Sequence, residues 1–469
     1  MVRRLRCLPS IARWMSPARR WLAGGLFLLA FAPGIAQAQI TAESLLESVV
    51  SDFGPKYQDV EAAVESLRNG KMADAMQSLR TARSKNPNLP PANMLMAQML
   101  FRLKQAPSAQ LALEEAVKED PADPGAYVYM GELALQGRRW TEARMLFDKS
   151  LALSESYTTN PLRKNQLMVS SYSGLASMAE MTEDWPTART LLNKLLEIDP
   201  GNSLASTRLG RVMFKQASDK ESEKEVYKLF QTLHSKDEQN TAHPDVNMAL
   251  LYEQAGKRNN AKVMMERAAK NDAKNPRTLL AVSKWALDTG NLEMAKSNAE
   301  AAMALEPDSL EARLYLGLVA RFGSDLTTAE KSFQEAHLLS PTHLGANTQL
   351  ALVLVEQPDE KKRALALAYA QLNQQLYTDL QEASGREAAV TLSWVLSRLG
   401  QNATAARNVQ QVLQAGAISA DSAYHAAQIL YDSGLTEVAQ KLLEPTLKQD
   451  AVFPTRKAAE ELMGKIQNN

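Results

Sequence analysis

Small side chains recur along this sequence at a spacing of 34 residues. Ser283, Ala286, Ala295, Ala302 and Pro307 return 34 positions later as Gly317, Ala320, Ala329, Ala336 and Pro341, and Val282 returns as Leu316. The same frame fits residues 56–89 (Ala63, Ala75, Leu79, Ala82, Pro87), 90–123 (Ala97, Ala109, Leu113, Ala116, Pro121) and 169–202 (Leu175, Ala176, Ala188, Leu192, Leu195, Pro200). Looser copies fall at 124–157, 242–275, 386–419 and 420–450. Residues 203–241 and 344–385 keep the first half of the pattern and lengthen the second. A period of this size implies an array, because one such unit cannot bury its apolar face without a neighbour.

Each block divides into two helical patterns. In residues 310–343, Arg313, Leu316, Gly317 and Ala320 share one face at i, i+3, i+4, i+7, and Ala329, Phe333 and Ala336 share another. Gly323 offers a stop between them, Ser324 and Asp325 offer N-caps, and Pro341 ends the second helix. Small residues in the middle of apolar faces make sense if the two helices touch there: Gly or Ala lets the backbones approach, and Leu or Phe one turn away fills the space. The composition agrees, being rich in helix formers with no sustained β-branched alternation. The expected fold is all-α, with about ten to eleven helix–turn–helix units.

The first 38 residues read as targeting. Arg3, Arg4, Arg6, Arg13, Arg19 and Arg20 make a basic leader with no acidic residue, followed by WLAGGLFLLAFAPGIA and a small-residue AQA at Ala36–Ala38. The apolar run is shorter than the roughly 20 residues of a spanning helix, which favours a cleaved signal peptide over a retained anchor. Six arginines leave with it, so 47 basic residues face 53 acidic ones, a net charge of −6. No basic stripe remains for nucleic acid. Cys7, the single cysteine, also leaves, so the exported protein carries no disulfide and no thiolate ligand. The expected division is a signal peptide 1–38, a linker 39–55, N-terminal repeats 56–202, degenerate repeats 203–275, two strong repeats 276–343, and degenerate repeats with a capping helix in 344–469.

Motifs of catalysis are missing. There is no G-x-x-x-x-G-K, G-x-G-x-x-G, G-x-S-x-G or S-x-x-K, and the five histidines form no H-E-x-x-H. His337 and His343 lie near one repeat junction, but without a carboxylate at ligand spacing they read as exposed loop residues. The tract Asp219–Glu225 alternates in sign and reads as a solvated helix face. No metal, cofactor or catalytic residue is expected, and the chain is not expected to be an enzyme.

The 34-residue pattern resembles the tetratricopeptide repeat family over roughly residues 56–447, and RKAAEELMGKI (residues 456–466) resembles the capping helix that closes such arrays. The resemblance implies a right-handed α-solenoid whose first helices line a concave groove for partner protein or peptide segments. Groove positions would include Met94, Gln98 and Phe101, Lys284 and Leu287, Leu314, Leu318 and Arg321, Val390 and Trp394, and Tyr424 and Tyr431. Phe101, Arg321, Trp394, Tyr424 and Tyr431 are the candidate partner contacts, since large amphipathic side chains and arginine anchor interfaces. The Lys and Asn set with which the family clamps C-terminal carboxylates is missing. The function implied is an exported, non-enzymatic interaction scaffold in envelope assembly or secretion; the alternative is a subunit that presents or regulates an envelope enzyme.

Overall fold

Phe333 shows how one unit is assembled. Its fully buried ring packs against Gly317, where a Cβ would lie 2.4 Å from the ring, so only glycine lets the two helices close. Phe230 is seated in the same way on Gly210, and Phe147 on both Gly131 and Gly174. In these pairs the glycine of the first helix is a backbone-to-ring contact, and Ala329 and Ala336 are completely buried beside Phe333.

The structure, a computed structural model, describes residues 58–468 except Lys104, Gln239, Asn240 and Asp450. All belong to one compact unit, Gln39–Asn469. The leader 1–38 and the linker 39–55 lie outside the described residues. Among the described residues there are 23 helices and no strand. No described helix is long and apolar enough to cross a membrane.

The helices alternate along the chain. The first helices of successive pairs are α1 (Gln58–Arg68), α3 (Ala92–Arg102), α5 (Gly125–Gln136), α7 (Pro161–Met181), α9 (Ser203–Gln216), α11 (Pro244–Gln254), α13 (Pro276–Asp288), α15 (Leu310–Phe322), α17 (Leu344–Val355), α19 (Ala383–Arg398) and α21 (Ala420–Asp432). Their partners are α2 (Met72–Lys85), α4 (Ala106–Glu119), α6 (Trp140–Ser156), α8 (Trp185–Ile198), α10 (Lys220–Lys236), α12 (Arg258–Asn271), α14 (Leu292–Leu305), α16 (Leu326–Leu339), α18 (Glu360–Leu376), α20 (Asn402–Ala415) and α22 (Thr436–Lys448). A last helix, α23 (Arg456–Gln467), covers the end by burying Ala459, Leu462, Met463 and Ile466 against α21 and α22. The chain is an α-solenoid of eleven helix pairs and a cap.

Local chemistry explains the boundaries. Asp325 accepts the Thr328 N–H at 3.1 Å, and Asn291, Ser309 and Asp184 cap α14, α15 and α8 in the same way. In five pairs the tight turn between the two helices places a glycine at positive φ: Gly70, Gly256, Gly290, Gly400 and Gly434. In three pairs a residue with a Cβ stands there: Arg138, Glu183 and Ser324. Gly323 thus ends α15 at φ −82°, and its neighbour Ser324 makes the left-handed turn. The 34-residue frame also misses the start of the fourth pair: α7 is 21 residues long and begins at Pro161, capped by the Asn160 side chain. The second helices α10 and α18 run to 17 residues.

First helices of neighbouring pairs touch one another, most extensively α17 with α19 and α19 with α21. They therefore form the inner side of the bend, and the second helices carry the outer side.

Candidate partner-binding surface

The inner face has two different halves. On the C-terminal half, Arg321 of α15 reaches across to α21. Its Nη1 donates to Asp421 Oδ2 at 2.6 Å and to Gln349 Oε1 of α17 at 2.9 Å. Asp421 also accepts the Thr455 hydroxyl at 2.7 Å and the Thr455 N–H at 3.3 Å. Burial would raise the Asp421 carboxyl, but the Arg321 charge, then His425 and Thr455, hold it at about 2. Burial lowers the adjacent His425 imidazole to about 4, so that ring is neutral at pH 7.

Trp394 belongs to the same cluster. It is 5% exposed, its Nε1–H donates to Glu356 Oε1 at 2.9 Å, and its ring lies 4.6 Å from His425 and 6.0 Å from Tyr424. Arg398 covers the ring at 5.5 Å while pairing with Glu356 at 3.0 Å. Trp394, Tyr424 and Arg321 thus meet side chains of this chain's own neighbouring pairs. Tyr431 is half-buried, two helical turns beyond Tyr424.

The segment after α22 closes this half further. Arg456 gathers it by donating to the carbonyls of Leu447, Gln449 and Ala451. Phe453 is buried, and the Val452 methyls lie 3.5 Å from where a Cβ on Gly290 would stand. The segment therefore bridges the seventh pair to the eleventh.

The N-terminal half is open. Phe101 of α3 stacks on Tyr129 of α5 with centroids 6.0 Å apart, and Gln98 donates to the Tyr129 hydroxyl at 3.1 Å. One turn along α5, Glu132 faces a pocket of about 270 Å³ between α5 and α7, lined also by Leu135, Val169, Ser170, Ser173 and Ser177. Gly174 also lines this gap, and both it and Gly131 rest on the Phe147 ring, which ties α5 to α7. Behind the pocket Arg208 donates to Ser173 Oγ (2.8 Å), Ser177 Oγ (2.9 Å) and Glu180 Oε1 (2.8 Å).

The five candidate residues therefore separate. The structure brings Trp394, Tyr424 and Arg321 into one cluster, leaves Tyr431 at the far end of α21, and places Phe101 by itself beside the open pocket. Sequence reasoning missed Asp421, His425, Thr455 and Glu132. Asp421 and His425 were legible as the i−3 and i+1 neighbours of Tyr424; their partner Arg321 was not.

The histidine reading is corrected in detail. His337 lies within α16 and not in a loop, hydrogen-bonded to Asn347 Oδ1 at 2.7 Å with its ring edge-on to Tyr369 at 4.8 Å. His343 is the N-cap of α17, accepting the Ala346 N–H at 3.1 Å. Both are half-buried and structural. Among the described residues, no three His, Cys, Asp or Glu side chains form a group able to hold a metal.

Family models described as tetratricopeptide repeat match residues 66–126 and 284–341, which span the first to third and seventh to eighth pairs. No curated protein matches the chain. Solved structures similar to it include yeast Tom70 (13% identity, 88% of this chain and 95% of that one, TM-score 0.37). Others are a thermophilic TPR protein of Thermus thermophilus (15%, 41% and 100%, TM-score 0.35) and a tetratricopeptide repeat protein of Parabacteroides merdae (15%, 64% and 99%, TM-score 0.34). The two family matches lie on helix pairs of the expected period, so residues 66–126 and 284–341 are tetratricopeptide repeats.

Proposed function

We propose that this protein is an exported, non-catalytic scaffold that holds a segment of a partner protein on its inner face, in envelope assembly or secretion. The observation that carries the reading is the contrast between the two halves of that face. From α15 to α21 the inner side chains satisfy one another, whereas between α5 and α7 a pocket stays open beside the Phe101–Tyr129 stack. An exposed concave pocket next to an aromatic platform suits an extended segment with alternating anchors. The arginine-rich leader and the AQA site support export, and N-terminal sequencing of the cellular protein is expected to begin at Gln39.

The test is site-specific photo-cross-linking in the envelope of the source cell. A benzophenone side chain at Ser170, in the pocket, is expected to give a discrete protein adduct, and one at Leu338, 73% exposed on the second helix α16, is expected to give none. Adducts from Leu338 alone, or adducts from neither position, overturn the reading.

A further inference from the structure

We propose that the pocket between α5 and α7 receives a cationic side chain, a lysine ammonium or an arginine guanidinium, with Glu132 as its counter-ion. The inference rests on the scaffold reading above and specifies what the inner face selects.

The argument begins from a missing partner. Glu132 is half-buried, and among the described residues no side chain or backbone group donates to it and no cation pairs with it. Burial pushes its carboxyl above the usual carboxylate range, and no neighbouring charge offsets that effect. A carboxylate withdrawn from water without a counter-ion is unfavourable, and such groups in proteins are normally paired.

The arginines nearby are already committed. Arg208 is bound to Glu180, which also takes Arg211 at 3.3 Å, and Arg163 is held by both oxygens of Asp123 at 2.5 and 2.7 Å. The pocket therefore presents one unspent negative charge and no unspent positive one.

Its walls suit the rest of such a side chain. Leu135 and Val169 offer apolar surface for an aliphatic stem, and the Ser170 hydroxyl oxygen can accept an N–H group that Glu132 leaves over. A neutral polar side chain would leave the charge of Glu132 unanswered, and an acidic one would face repulsion. The Phe101–Tyr129 stack, one turn away on α5, supplies a platform for an apolar residue next to the cation in the bound segment.

The experiment uses the protein from Gln39 to Asn469 with ¹³C-labelled methyl groups, titrated with small amides. Nα-acetyl-lysine methylamide and Nα-acetyl-arginine methylamide are the probes, and Nα-acetyl-norleucine methylamide is the uncharged control. The Leu135 and Val169 methyl resonances are expected to shift and saturate with the two cations and not with norleucine. Glu132→Gln, checked for an unchanged melting temperature, is expected to weaken binding about tenfold or more, as loss of a charge-assisted contact does. A larger response to lysine or to arginine identifies which cation the site prefers.

Equal shifts with norleucine, or undiminished cation binding in Glu132→Gln, overturn the proposal. So does an absence of any shift while the benzophenone at Ser170 still captures a partner; in that case the scaffold reading stands alone. Saturable cation binding with no cross-linked partner would leave the pocket chemistry standing and remove the scaffold reading.

Discussion

Arg321 and Asp421 are 100 residues apart in sequence and meet at 2.6 Å on the inner face, 8% and 16% exposed. They belong to the eighth and eleventh helix pairs, so the ion pair closes a curve that no single repeat contains. Removing one partner of a buried pair leaves the other unanswered. Asp421→Asn is therefore expected to lower unfolding free energy by about 3 kcal/mol. Urea unfolding of Asp421→Asn, Arg321→Gln and the double variant checks this: coupling requires the double variant to lose less than the sum of the singles.

His425 makes the same cluster sensitive to acid. Its imidazole is held at about 4 in the folded protein, against about 6.5 in an unfolded chain. Between those values the unfolded chain binds a proton that the folded one refuses. Stability is therefore full above about pH 6.5 and falls on acidification toward pH 4, by on the order of 3 kcal/mol. Asp421, held at about 2, adds its own loss only below about pH 4. Thr455, Trp394, Tyr424 and Arg321 complete the surroundings of this pair. Urea midpoints measured across this range are expected to fall with pH in the native sequence and to change much less in His425→Gln.

Gly317→Ala and Ala329→Leu test the close helix contact. The first places a Cβ against the Phe333 ring, and the second inserts a branched chain at a site with no exposure. Each is expected to cost roughly 1–3 kcal/mol. Hydrogen exchange is expected to rise in the eighth pair and its two neighbours first, because coupling along the array runs between nearest neighbours.

Ser324→Gly is expected to stabilise. Ser324 sits at φ 58° where five other pairs carry glycine. Relief of the left-handed strain exceeds the extra freedom glycine gives the unfolded chain, for a net gain of about 0.5–1 kcal/mol in thermal unfolding.

Trp394→Ala separates anchoring from packing. With its ring between α19 and α21 and its N–H on Glu356, truncation is expected to remove roughly 3–5 kcal/mol of stability. Tyr431→Ala, at a half-buried position, is expected to remove less. A Trp394→Ala variant that melts like the native protein but loses a captured partner would return this residue to the binding surface.

One helix pair and its internal contacts are legible in the sequence. A period of 34 residues, small residues at the helix crossings and caps at the turns are local facts, each settled within one hairpin, and Gly317 with Phe333 is the clearest case. The long α7 and the left-handed Ser324 escaped because one helix began ahead of the frame and one turn used a residue that carries a side chain. The candidate surface was legible only as positions. Phe101, Trp394 and Tyr424 were identified as lying on first helices, but whether such a side chain meets a partner or a neighbour depends on how tightly successive pairs bend. That bend accumulates from small rotations at each inter-repeat contact, and no single repeat encodes it. Only the tertiary structure set Arg321 against Asp421 and Val452 against Gly290, closing the C-terminal inner face, and left Glu132 unpaired in the gap between α5 and α7.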